Sequence, residues 1–154
     1  MKTIQFLIIC LAVALVIPHA FGQKNSPAPV EDDFYRIVTL PAPENVLLEV
    51  GGVATLPDGR ISVCTRRGDV WIIENPYMEN GGNPSFKLFA SGLHEALGLT
   101  FKDGSLFTAQ RGELTRLTDT NGDDRADAYE TVYAWPLSGH YHEYSFGPKV
   151  APDG

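Results

Sequence analysis

A repeat of short apolar runs separated by glycine turns constrains the fold of this chain more than any other feature. Asp-Gly pairs occur at Asp58-Gly59, Asp103-Gly104 and Asp153-Gly154, and the first two are about 45 residues apart. In both copies an Arg-Gly pair follows, at Arg67-Gly68 and at Arg111-Gly112, and an apolar run lies on each side of it. A period near 45 residues with several short strands per copy is typical of a β-propeller blade.

The repeat predicts an all-β fold, a partial β-propeller of two four-stranded antiparallel blades and the start of a third. The turns carry Asp-Gly or Arg-Gly, and the runs between them are rich in Val, Ile, Thr and Phe, as strands of hairpins are. The predicted strands are 52–56, 60–65, 69–74 and 86–90 in the first blade and 97–101, 105–109, 113–118 and 130–134 in the second. Two further strands are predicted before them, at 34–38 and 46–50.

The number of copies limits what the chain can form by itself. A closed propeller needs four to eight blades, and each blade needs neighbours on both faces. Residues 34–154 are therefore interpreted as the N-terminal part of a larger propeller that is truncated within the third copy. The alternative is a short open sheet that stands alone, which is less favoured because unpaired strand edges promote aggregation.

The first 22 residues have the pattern of a secretory signal peptide, which predicts a secreted or periplasmic protein. Lys2 precedes an apolar stretch over 4–17, and Ala20-Phe21-Gly22 resembles a cleavage site. The apolar stretch is short for a membrane span, although an uncleaved N-terminal anchor is the alternative. Residues 23–33 are predicted to be a linker. Cleavage would remove Cys10 and leave Cys64 as a single thiol, for which we expect a buried structural role.

The charge of the chain argues against some classes of partner. Acidic residues outnumber basic ones by 19 to 12, and the formal net charge is −7. An acidic protein of this kind is not expected to bind nucleic acid or an anionic membrane surface.

An acidic loop between two predicted strands has the spacing of a calcium site. Oxygen-bearing side chains occupy positions 1, 3, 5, 9 and 12 of the loop, and the backbone carbonyl at position 7 completes the pattern of an EF-hand loop. These predicted metal ligands are Asp119, Asn121, Asp123, Asp127 and Glu130, with the carbonyl of Arg125. The pattern departs at Asp124, where that loop carries a turn glycine, although Asp tolerates the left-handed conformation better than most residues. The alternative is a solvated turn held by Asx hydrogen bonds.

A pair of histidines follows the second copy, at His140 and His142. Alternate residues of an extended segment point to one face, and histidine can act as a general base near neutral pH. From the spacing alone, a metal-free pair at the surface or in the core is the more favoured interpretation. A zinc site is weakly supported, because no third ligand can be identified nearby.

Several blocks, taken in order, resemble the glucose/sorbosone dehydrogenase-like proteins. These blocks are Leu-Pro-Asp-Gly-Arg, Arg-Arg-Gly-Asp-Val-Trp, Ala-Ser-Gly-Leu-His-Glu-Ala-Leu-Gly-Leu, the Asp-Thr-Asn-Gly-Asp loop, and His-Tyr-His-Glu-Tyr-Ser-Phe-Gly-Pro followed by Pro-Asp-Gly. They are most similar to a secreted bacterial branch of membrane-bound dehydrogenase-like proteins, whose propeller can be joined to a cytochrome c or another haem-binding domain. The resemblance covers residues 35–154.

The resemblance implies an oxidoreductase that acts on a sugar or alcohol and passes electrons to a quinone or to cytochrome c. In the family, a histidine removes the hydroxyl proton while hydride passes to pyrroloquinoline quinone, and by the match His142 would carry this role, with His140 second. The chain lacks the Gly-Arg-Leu that follows this histidine in the family. The residues that hold the quinone and its calcium ion belong to later blades. The chain alone is therefore expected to be inactive.

Two other functions are considered beside the oxidoreductase. A propeller can serve as a non-catalytic binding module for a glycan or a protein. A calcium-dependent hydrolase or lactonase is less favoured, because no carboxylate is convincingly placed for that chemistry.

Overall fold

The computed structural model describes residues 27–44, 46–136 and 144–154. The predicted signal peptide and the histidines His140 and His142 lie outside the described residues. The chain divides into two compact units, Met1–Ile37 and Val38–Gly154. In the first unit the described residues contain one 3₁₀ turn, Glu31–Asp33, whose side chains are exposed. No helix among the described residues is both long enough and apolar enough to cross a membrane.

The second unit is all-β and consists of two four-stranded antiparallel sheets. The first sheet contains β1 (Val50–Thr55), β2 (Ile61–Thr65), β3 (Val70–Glu74) and β4 (Ser85–Ala90), in that order. The second contains β5 (Leu99–Lys102), β6 (Ser105–Ala109), β7 (Glu113–Thr118) and β8 (Ala128–Ala134), also in chain order. A second 3₁₀ turn, Glu79–Gly81, lies in the connection between β3 and β4. The sheets are not closed into a ring, and the prediction of two four-stranded antiparallel sheets is confirmed.

The Asp-Gly turns form hairpins of two different lengths. In the second sheet Lys102 pairs directly with Ser105, and both Asp103 and Gly104 have positive φ angles of 48° and 78°. This two-residue geometry is the one that Asp-Gly favours. In the first sheet Pro57 adds a residue, since its ring fixes φ at a negative value and cannot take the first position of such a turn.

The apolar faces of the two sheets meet in one core. Val70 and Leu117 are fully buried, and so is Cys64. The cluster also contains residues of the connection between the sheets, among them Leu93 and Ala96. The expectation that Cys64 is a buried structural residue is confirmed, and burial raises the pKa of its thiol.

Glycines bring the first strands of the two sheets into close contact. β1 packs against β5, and a Cβ atom at Gly52 would lie 2.5 Å from the Cα of Gly98. On the other side of β5, a Cβ atom at Gly98 would lie 2.0 Å from the carbonyl oxygen of Gly147. No side chain fits at either distance. Three segments of backbone therefore lie one against the next, and each begins one copy of the sequence repeat.

The two strands predicted before the first sheet are wrong. Residues 34–38 form no strand, and the side chains of Phe34, Tyr35 and Ile37 are exposed, with Ile37 at 90%. Of the residues predicted at 46–50, Val50 alone belongs to a strand, as the first residue of β1. Proline at positions 41 and 43 supplies no N–H for a strand ladder. The apolar residues of this segment suggested strands, but strands require a partner.

Candidate functional site at the loop ends of the two sheets

The acidic loop is a tight turn in which side-chain oxygens accept the backbone N–H groups of the loop itself. One carboxylate oxygen of Asp119 accepts N–H groups from Asn121, Gly122 and Asp123, and the other accepts the N–H of Asp124 at 2.9 Å. Asn121 and Asp123 each accept an N–H from two residues further on, at 3.0 and 2.9 Å. These are the Asx hydrogen bonds of the alternative interpretation.

The loop matches the chemistry of a calcium site better than its geometry. The donors are hard oxygens, of the kind that Ca²⁺ binds, although one oxygen of Asp119 already accepts three N–H groups. Asp127 accepts hydrogen bonds from the hydroxyl and from the backbone N–H of Thr120. Both lower the pKa of the Asp127 carboxyl, the hydroxyl more than the N–H. Glu130, however, lies on β8 and pairs with Arg116 at 2.9 Å. No three His, Cys, Asp or Glu side chains form a metal-binding group within 27–44, 46–136 and 144–154.

Calcium at this loop remains a prediction. Asp119, Asn121, Asp123 and Asp127 would supply side-chain oxygens, while Glu130 would have to leave its ion pair with Arg116 to take part. Asp124 has the left-handed conformation that a turn at this position requires, with φ 64°. Asp in place of glycine is therefore compatible with the turn.

Asp124 has a second role that sequence reasoning missed, because it joins the loop of the second sheet to the first sheet. Its two carboxylate oxygens lie 2.8 Å from Arg60 Nη1 and 2.9 Å from Lys87 Nζ. Lys87 also pairs with Glu74 at 2.8 Å. The hydrogen bonds from Lys87 and Arg60 lower the pKa of Asp124. The loop is thereby attached to both sheets through charged groups.

At the opposite ends of the strands, a group of charged and aromatic side chains from both sheets comes together. We call it the loop-end cluster, and its members are Arg66, His94, Glu95, Arg111 and Tyr144. Glu95 is at the centre, with side-chain exposure of 20%. Its carboxylate lies 3.0 Å from Arg111 Nη1, 3.6 Å from Arg66 Nη2 and 3.8 Å from His94 Nε2. The hydrogen bond from Arg111 lowers the pKa of Glu95, so this carboxyl is ionised near neutral pH.

Backbone hydrogen bonds show that Arg66 and Arg111 occupy equivalent positions in the two repeats. The N–H of Arg66 donates to the carbonyl of Glu49 at 2.8 Å, and the N–H of Arg111 donates to the carbonyl of His94 at 3.0 Å. Alignment of the two repeats by sequence pairs Arg67 with Arg111, because each of them precedes a glycine. Arg67 is instead one additional residue in the longer first turn, and it pairs with Glu49 at 3.2 Å.

A hydrogen-bond network beneath the cluster positions its loop. The side-chain oxygen of Gln110 accepts the N–H of His94, and its amide nitrogen donates to Thr115 at 2.6 Å. Glu113 accepts hydrogen bonds from Thr115 and from Thr131 of β8. Gln110 and Thr115 are buried, with exposures of 8% and 2%. Glu95 has a positive φ of 51°, so the loop around it holds a backbone conformation that is uncommon for glutamate.

The segment that carries the predicted catalytic histidines starts and ends next to this cluster. Before it, the N–H of Trp135 donates to the carbonyl of Gly112, and its indole Nε1 donates to the carbonyl of Gln110, both at 2.9 Å. After it, Tyr144 stacks against Arg111, whose Cζ lies 5.0 Å from the ring centroid. The structure thus places the flanks of His140 and His142 at the loop ends, while these two residues lie outside the described residues.

Comparison of the chain with protein-family models, with curated proteins and with solved structures gives no match. The loop-end cluster offers two guanidinium groups that are held by one carboxylate and one aromatic ring. Such groups bind and orient oxygen-bearing ligands, particularly anionic ones.

Proposed function

We propose that the two sheets are neighbouring blades of a β-propeller and that residues 147–154 begin a third. Two repeated features support this proposal. The backbone contact between Gly52 and Gly98 recurs between Gly98 and Gly147. The Leu56-Pro-Asp-Gly59 turn, in which the N–H of Gly59 donates to the carbonyl of Leu56 at 3.0 Å, recurs at Ala151-Pro-Asp-Gly154 with the same hydrogen bond and distance.

The propeller arrangement also agrees with the order of the strands. In each sheet the strands lie in chain order. In the proposed ring, the first strand of each sheet would be the innermost and the fourth the outermost. β1 and β5 pack against each other, as inner strands of adjacent blades do. A closed ring requires four or more sheets of this kind. The two sheets described would therefore be the N-terminal part of a larger ring.

The activity proposed for the complete propeller is the oxidation of a sugar or alcohol, in a secreted or periplasmic protein. Electrons would pass to a quinone or to a cytochrome c, as the resemblance to the glucose/sorbosone dehydrogenase-like proteins implies. His142 would accept the hydroxyl proton, and His140 would have a secondary role. The observation that favours this proposal is that two residues close to these histidines in the sequence, Trp135 and Tyr144, lie next to the loop-end cluster.

Pyrroloquinoline quinone would supply the hydride acceptor when it is bound. The resemblance implies that the residues which would hold it belong to later blades. The residues of this chain would bind and orient the substrate and hold its proton.

Dye reduction by the complete natural protein tests the proposal. The protein would be supplied with calcium, the quinone and a panel of sugars and alcohols. We expect turnover, and we expect His142→Ala to lower it by about 10²-fold, the contribution of a positioned general base. His140→Ala is the matched control and should have a smaller effect. Quinone-dependent turnover by the 154-residue chain alone would contradict the proposal that further blades are needed.

The alternative is a propeller that binds a glycan or protein without chemistry. The loop-end cluster favours it to the extent that its charged groups are paired with one another and none is an evident nucleophile. In that case neither the unaltered protein nor His142→Ala would reduce the dye above background, while both would bind the ligand.

A further inference from the structure

The loop-end cluster is a locally cationic site in an acidic protein. Arg66 and Arg111 share one carboxylate, that of Glu95, as their ion-pair partner. The carboxylate of Glu113 lies beneath the cluster, where it accepts hydrogen bonds from Thr115 and Thr131. The formal net charge of the whole chain is −7. Two guanidinium groups that lie together in an acidic chain are candidates for binding an anionic ligand.

The guanidinium group of Arg111 is positioned before any ligand arrives. Arg111 is fixed on one side by Glu95 at 3.0 Å and on the other by the ring of Tyr144. Arg66 contacts Glu95 through Nη2 at 3.6 Å, but its side chain is 59% exposed. A guanidinium carries five N–H donors in a planar fork, and one contact leaves most of them available. Groups that are already ordered lose less conformational entropy when a ligand binds.

We propose that the loop-end cluster binds the carboxylate of a sugar acid, with Arg66 as the main contact and Arg111 in support. A carboxylate matches the planar fork of arginine and can accept two parallel N–H bonds from it. Glu95 is a positioning residue, since it brings the two arginines together and does not itself attract an anion. The buried Gln110 holds the loop of His94 and Glu95 in place.

The sugar part of this ligand rests on the proposed function, whereas recognition of its carboxylate rests on the two arginines and needs no quinone and no catalytic histidine. It adds a ligand class to the site: an acidic sugar such as a uronate is preferred to its neutral counterpart. The charged neighbours Arg67 and Glu49, paired at 3.2 Å, lie beside Arg66 and contribute no net charge as a pair.

Calorimetric titration of the full 154-residue chain tests the inference, with glucuronate and glucose as the matched ligands. We expect glucuronate to bind at low ionic strength with glucose undetectable, and added salt to weaken the binding. Arg66→Gln should weaken glucuronate binding by about tenfold or more, the typical effect of losing a charge-assisted hydrogen bond. Arg116→Gln is the control, because Arg116 pairs with Glu130 on the strands β7 and β8, outside the cluster.

Glu95→Gln gives a second readout that loss of folding cannot imitate. Removing this negative charge while keeping an oxygen that can accept the hydrogen bond of Arg111 should tighten glucuronate binding, since the charge that repels the ligand carboxylate is gone. The far-ultraviolet circular dichroism of each variant would be compared with that of the unaltered chain.

Four outcomes would overturn the inference. These are equal binding of glucuronate and glucose, no binding of either, an equal effect of Arg116→Gln and Arg66→Gln, and tight binding of inorganic phosphate or of pyrroloquinoline quinone without any binding of glucuronate. The last outcome would identify the cluster as a general anion site or a cofactor site. Because the titration uses no redox dye, failure here leaves the dye-reduction test of the proposed function unaffected.

Discussion

Asp124 Oδ1 lies 2.8 Å from Arg60 Nη1, and this ion pair joins the acidic loop of the second sheet to the first hairpin of the first sheet. The two residues are 64 positions apart in the chain, and both side chains are 26% exposed. Partial burial protects the pair from screening by salt. Lys87 adds a second contact to the same carboxylate. The loop therefore holds the two sheets together whether or not it binds a cation.

Replacement of Asp124 by asparagine should lower the free energy of unfolding by about 1 kcal/mol, because a networked ion pair of two basic partners is lost. Urea denaturation followed by circular dichroism would measure the change. Asp123→Asn is the matched control, since the asparagine oxygen can still accept the N–H of Arg125. An equal loss in both variants would mean that the charge pairing of Asp124 contributes nothing specific.

The same ion pairs predict a dependence of stability on pH. Hydrogen bonds from Lys87 lower the pKa of Asp124 and of Glu74 in the folded chain. A carboxyl with a lowered folded-state pKa stabilises the fold above its ordinary pKa, which is about 4. That stabilisation is lost as the pH falls through the lowered value. We expect the free energy of unfolding to decrease below about pH 4, and to decrease less steeply in Asp124→Asn. Parallel pH profiles would contradict the assignment.

Close packing at Gly98 predicts a large effect of one methyl group. A Cβ atom there would lie 2.0 Å from the carbonyl oxygen of Gly147, and the φ of 141° is unfavourable for any other residue. Gly98→Ala should cost about 3 kcal/mol from overpacking together with backbone strain. Gly104→Ala is the matched control, because Gly104 also has a positive φ but open space around its Cβ position. It should cost about 1 kcal/mol. Thermal unfolding would separate the two.

Calcium binding to the acidic loop should be weak, with a dissociation constant on the order of 10⁻⁴ to 10⁻³ M, as in extracellular calcium modules. Asp119→Ala should abolish it, since Asp119 also accepts the N–H groups that shape the turn. Glu130→Gln should have a smaller effect, because that side chain pairs with Arg116. Calorimetry with the unaltered chain that gives no heat of calcium binding would overturn the prediction.

The strands and their order follow from local information in the sequence. Apolar runs of four to seven residues and glycine turns at a regular period predict antiparallel hairpins, because both strand and turn geometry are set by neighbouring residues. The strands β6 and β7 have the predicted bounds of 105–109 and 113–118. The prediction failed at 34–38 and 46–49, where apolar residues are present but no strand pairs with them.

The sites, in contrast, were decided by contacts between distant parts of the chain. The acidic spacing of the loop could be read from the sequence, yet the pairing of Asp124 with Arg60 and of Glu130 with Arg116 could not. Equally, Arg66, His94 and Glu95 lie in blocks that carry the family resemblance, but nothing in these blocks places them next to Arg111. The cluster exists because two turns and one connection meet at the same end of the sheets. Local propensity specifies turns and strands within a few residues. The position of a charged side chain relative to its partners depends on how the sheets pack. The glycines that allow this packing can be recognised only from the close backbone contacts in the tertiary structure.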